Sequence, residues 1–122
     1  MEQEKERIEM TLNQYQNEAM RTASGMCEKC NDNLILNGAM GLNGEAGEVI
    51  DILKKHMVQG HKLDTEHIAK ECGDCLWYLA ILAKGVGYTL DEIAQMNVDK
   101  LRNRYPDGFE IEKSLHRAEG DI

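Results

Sequence analysis

Apolar residues recur along this chain at alternating steps of three and four, the repeat of an α-helix with one buried face. Ile8, Leu12, Tyr15 and Ala19 predict a first helix over about residues 4–23, with Glu, Gln and Asn on its outer side. Ser24, Gly25, Asn31, Asp32 and Asn33 mark residues 23–33 as a connection that ends one helix and caps the next. Ile35, Ala39, Leu42, Ala46, Val49, Leu53 and Met57 predict a second helix over about 34–59. Asp64 or Thr65 caps a third over about 65–86, carried by Ile68, Cys72, Cys75, Leu79, Leu82 and Val86. Its centre, residues 76–83, is apolar on nearly every side and needs cover from its own bundle and from another chain. Gly85 and Gly87 close it, and Thr89, Leu90, Asp91 and Glu92 read as a capping box that opens a fourth helix over about 90–104. There Leu90, Ala94, Asn97 and Leu101 form the inner stripe, so Asn97 is an amide in a core position that needs a partner. Residues 109–122 hold too few apolar groups for a core and are expected as a turn of helix or an arm on a neighbouring chain. The expectation is an all-α, four-helix-type bundle, one domain over residues 1–122, completed by oligomerisation.

Composition narrows the function. A chain of 122 residues suits one domain, and a single Pro with 5% aromatics argues against a sandwich or barrel. Lys and Arg number 14 against 22 Asp and Glu, a net charge of -8, so nucleic acid is not an expected partner. A small anionic substrate would be repelled too, unless a cation bridged it to the protein. No apolar run approaches the roughly 20 residues of a membrane span, and the N-terminus is a charged amphipathic stretch. A soluble, cytoplasmic protein with no membrane partner is expected.

The chemistry lies in two pairs of carboxylates. Glu45 and Glu48 are three apart on the second helix, Glu71 and Asp74 three apart on the third, so each pair projects from one face about 5–6 Å apart at Cβ. One such pair alone reads as a solvated helix face. Two pairs, one of them beside the apolar stretch 76–83, read differently, because an unpaired carboxylate costs several kcal/mol to bury. Hard divalent cations take oxygen ligands, and Mg²⁺ is commonly shared between carboxylates and substrate phosphates. Glycine strengthens this: Gly38, Gly41, Gly44 and Gly47 recur every three residues, each costing about 1 kcal/mol in a helix relative to Ala. Either a backbone or ligand comes close there, as also at Gly73 between Glu71 and Asp74, or the second helix starts only after Gly44.

The residues Gly44-Glu45-Ala46-Gly47-Glu48, followed after 22 residues by Glu71-Cys72-Gly73-Asp74, resemble the signature of the MazG-like nucleoside triphosphate pyrophosphohydrolases. These are all-α enzymes whose superfamily includes dimeric dUTPases and dCTP pyrophosphatases. The likeness extends through Gly41-Leu42, through Leu76-Trp77-Tyr78-Leu79-Ala80, and through residues 97–109. It departs at Gly44, where the family pattern often has a further Glu. The resemblance implies that Glu45, Glu48, Glu71 and Asp74 hold Mg²⁺, with Mn²⁺ as substitute, and that a nucleoside triphosphate is cleaved to monophosphate and pyrophosphate in nucleotide-pool cleaning. Whether Glu45 or Glu48 is ligand or base stays open. The resemblance also carries Asn97 and Lys100 to the substrate, with Arg104 one turn further on, and implies a homodimer or dimer of dimers. Lys55 is a further phosphate candidate. Tyr78, one turn beyond Asp74, is placed either to stack on a base or to pack in the core.

Cys27-x-x-Cys30 and Cys72-x-x-Cys75 also match structural-zinc spacing. Against zinc stand the 41 residues between the pairs and the position of Cys72 and Cys75 in the core stripe, where a small apolar residue is what packing needs. The rival to an enzyme is a catalytically silent binding or regulatory module with zinc or redox chemistry at these cysteines, and Gly44 is the feature that favours it.

Overall fold

A computed structural model describes residues 9–23 and 31–122. The fold is all-α: the described residues form α1 (Leu12–Thr22), α2 (Asn31–Gln59), α3 (Thr65–Gly85), α4 (Leu90–Arg104) and α5 (Ile111–Leu115), with no strand among them. Two compact units make up the chain, Met1–Leu90 and Asp91–Ile122.

α1 starts later than its apolar spacing predicts. Thr11 is the N-cap: its hydroxyl accepts from the Gln14 N–H, and the Gln14 side chain accepts from the Thr11 N–H in return. That reciprocal pair satisfies two end groups and fixes the start, leaving Glu9 and Met10 outside the helix. α2, by contrast, runs unbroken through Gly38, Gly41, Gly44 and Gly47, so the late start after Gly44 is ruled out.

α2 and α3 pack as the principal pair, with α1 against α3. The buried side of α2 is displaced by about one position from the predicted stripe: Leu34, Gly38 and Ile52 are buried, whereas Ala39, Ala46 and Met57 are exposed. The glycines explain the offset. A Cβ on Gly38 would lie 2.7 Å from Leu82 Cβ, one on Gly41 would overlap the Tyr78 ring, and one on Gly85 would lie 2.9 Å from Ile35. The helices therefore approach backbone to side chain, and the positions that look least hydrophobic lie at the centre of the contact.

The core is built from small residues. Ala19, Ala80, Ala83 and Leu90 form one cluster and Ala23, Leu34 and Ile81 another, with Trp77 against both. Gln16, on the polar side of α1 by its type, is buried; its amide donates to the Ala80 and Tyr88 carbonyls, and its Oε1 accepts from the Leu90 N–H. This one side chain ties α1 to the end of α3 and to the turn that follows, where Gly87 adopts φ +84°. Trp77 Nε1–H donates to the Thr22 hydroxyl at 2.8 Å. The predicted α3 stripe is only partly inside: Cys72, Leu79 and Val86 are exposed and Cys75 half-buried, because α1 and α2 cover the faces bearing Trp77, Tyr78, Ala80 and Ile81 instead.

In the second unit, α5 and the residues after it return to the end of α4. Arg104 makes a bidentate pair with Asp121, Nε to Oδ2 at 2.7 Å and Nη2 to Oδ1 at 2.5 Å, with both side chains largely buried. Residues 109–122 thus form a short helix and a tethered end.

Candidate functional site

The tight half of the α2–α3 contact determines what meets in the other half. α3 runs antiparallel to α2, and Tyr78 sits on Gly41. One turn on from Gly41 is Glu45; one turn back from Tyr78 is Asp74, with Glu71 three residues earlier. Single carboxylate oxygens of Glu45, Glu71 and Asp74 accordingly lie within 4.8 Å of one another. Glu48 stands outside that set, exposed on α2, although its charge acts on Glu45.

Like charges this close resist joint ionisation. The Glu45 carboxyl is held above its ordinary range, first by a hydrogen bond with Glu71, then by loss of solvent and by the charges of Glu71, Asp74 and Glu48. Three hard oxygen donors with an excess of negative charge fit a divalent cation, which would let them ionise together.

Three neighbours of the group were not among the predicted site residues. His67, one turn before Glu71, places Nε2 3.0 Å from Glu71 Oε1. Tyr15 reaches from α1 to the Gly73 carbonyl at 3.5 Å, and its hydroxyl is pushed up by burial and by Asp74. Cys75 has its thiol pushed up by burial, then by Cys72, Glu45, Glu71 and Asp74. The i, i+4 spacing of His67 and Glu71 is the available signal for the first; by sequence Tyr15 is a stripe residue, and Cys75 a stripe residue and half of a zinc-spaced pair.

The other candidates divide. Lys55 bonds Asp51 at 2.7 Å, Lys54 bonds the same carboxylate at 3.3 Å, and Lys55 also feels Glu48. Tyr78 is half-buried, its ring against Gly41 and edge-on to Trp77 at 5.1 Å between centroids. Asn97, expected inward, is exposed on α4, as is Lys100. Arg104 is committed to Asp121, so its fork of donors is already matched to a carboxylate. Among the described residues nothing lies within 4 Å of where a Cβ on Gly44, Gly47 or Gly73 would stand, so no backbone makes the close approach expected at Gly47 and Gly73, and the space there is open. Cys72 and Cys75 are free thiols, while Cys27 and Cys30 lie outside the described residues.

The profile of the MazG nucleotide pyrophosphohydrolase domain matches residues 37–109, more than half the chain and a span that contains all four carboxylates. The chain is similar to the Gene 37 protein of Mycobacterium phage L5, 36% identical over 69 residues, which cover 53% of this chain and 60% of that protein. It thus spans less than two thirds of that relative's length. No solved structure matches it significantly.

Proposed function

Because the chain belongs to the MazG nucleotide pyrophosphohydrolase family, we propose that it hydrolyses a nucleoside triphosphate to the monophosphate and pyrophosphate, using Mg²⁺ or Mn²⁺ held by Glu45, Glu71 and Asp74. The observation that carries this reading is the meeting of those three donors within 4.8 Å, inside the matched region. A bound divalent cation would neutralise substrate phosphates and lower the pKa of a coordinated water. Glu48, close enough to act on Glu45 yet outside the tight set, is suited to complete the cation's ligands or to accept the proton of the attacking water. Lys55, near Glu48, supplies positive charge at that edge. Tyr78 offers the unburied part of its ring to a base, and Asn97 and Lys100 are assigned to the nucleotide on the family likeness. Arg104 is better assigned to holding the chain's last residues, given its bidentate partner. A second copy of the chain, as dimer or dimer of dimers, would cover the exposed Leu36, Met40, Ile50, Leu79 and Val86.

The test is a panel of common NTPs and dNTPs with Mg²⁺, products resolved by chromatography. Monophosphate and pyrophosphate are expected for at least one nucleotide. Diphosphate and orthophosphate would move the protein to another reaction class, and no turnover of any nucleotide would favour the silent module.

A further inference from the structure

We infer that His67 is a positioning residue for Glu71: its ring holds one oxygen of that carboxylate, leaving the other to face a cation. The inference rests on the metal-site reading above. His67 is fixed from two sides. Its backbone N–H donates to the Asp64 carboxylate that caps α3, at 3.0 Å, and its Nε2 lies 3.0 Å from Glu71 Oε1. The two side chains differ in exposure, 52% for His67 and 14% for Glu71, so a ring at the surface anchors a carboxylate at the mouth of the seam. With Nε2 carrying the hydrogen, the contact is N–H to carboxylate, and it removes the free rotation about the last bond of Glu71 that would otherwise be lost on metal binding. Among the described residues, no side chain of its own helix holds Glu45 or Asp74 in this way; Glu45 leans on Glu71 itself. The orientation of Glu45 therefore depends on the one carboxylate that His67 holds. A lysine in its place would bring a fixed positive charge to compete with the cation, whereas an imidazole N–H orients the carboxylate without doing so.

The experiment titrates the full chain with Mn²⁺ at a single pH of about 8, following free Mn²⁺ by electron paramagnetic resonance. His67→Ala should weaken binding by about 10–100-fold, the range typical of residues that hold a metal ligand. His67→Gln, whose amide nitrogen reaches to a similar point, should recover most of the affinity. Because the ring is half exposed, both variants should melt like wild type without metal. Unchanged affinity in His67→Ala, or no recovery in His67→Gln, would overturn the inference while leaving the metal site standing. Directly coordinated nitrogen on the bound Mn²⁺, seen by pulsed resonance, would overturn it too, by making His67 a ligand. A wild type that binds no Mn²⁺ would remove the metal reading itself.

Discussion

The two halves of the α2–α3 contact use the same pair of helices for opposite ends. In one half Gly38, Gly41 and Gly85 let the other helix press close, and the nearest atoms belong to Leu82, Tyr78, Ile35 and Leu34. In the other, Gly44, Gly47 and Gly73 meet none of the described residues, and Glu45, Glu71 and Asp74 converge instead. The difference teaches how mutually repelling carboxylates are kept together. Helices are stiff, so the separation enforced at Gly38 and Gly41 is carried along to the next turns, and the energy of the dry half holds the charged half closed.

The largest expected effect falls on the charged half. Glu71→Gln should lower turnover by at least about 100-fold while leaving the helical circular dichroism unchanged. Pyrophosphate release at near-normal rate would detach the carboxylates from the chemistry.

Gly38→Ala attacks the other half. Its new Cβ would press on the Leu82 backbone, which has no rotamer to yield, so stability should fall by roughly 1–3 kcal/mol and Mn²⁺ affinity should fall with it. Gly47→Ala, in open space on the same helix, should instead gain up to about 1 kcal/mol from helix propensity. Thermal melts of the two variants give the comparison directly; shifts of the same sign would mean that the two halves do not differ as described.

The smallest effect is on pH dependence. In EDTA the Glu45 carboxyl is raised above its ordinary 4.5, so the stability its proton brings is present below that value and lost as the pH rises through the elevated one. Glu45→Gln should flatten that decline, measured as melting temperature against pH.

Much of this was legible in the chain. α3 and α4 span the expected residues to within one position, though only part of each apolar stripe is buried, and the two carboxylate pairs stand out as paired acids with glycine between them. What was not legible has particular causes. The buried side of α2 was misjudged by a position because Gly38 and Gly41 add nothing to an apolar count, yet lie where the helices touch. Gln16 was assigned outward by its type; it is buried because three backbone partners more than 60 residues away satisfy its amide. α1 begins at Leu12 because the capping box of Thr11 and Gln14, which an apolar count does not register, fixes its start. Arg104 looked available until Asp121, 17 residues on, folded back onto it.

The central claim, that the open half of the seam is a divalent-cation site, is tested most directly by the melting temperature against Mg²⁺ and Mn²⁺, with EDTA reversal and sodium at matched ionic strength as the control for screening. A ligand at a hundredfold excess over its Kd stabilises the folded state by about 2.7 kcal/mol, a rise of several degrees for a domain of this size. Wild type should show that rise, saturating at low concentration, and Glu71→Gln should lose it. No rise in wild type, or stabilisation by zinc alone that Cys27→Ser abolishes, would contradict it.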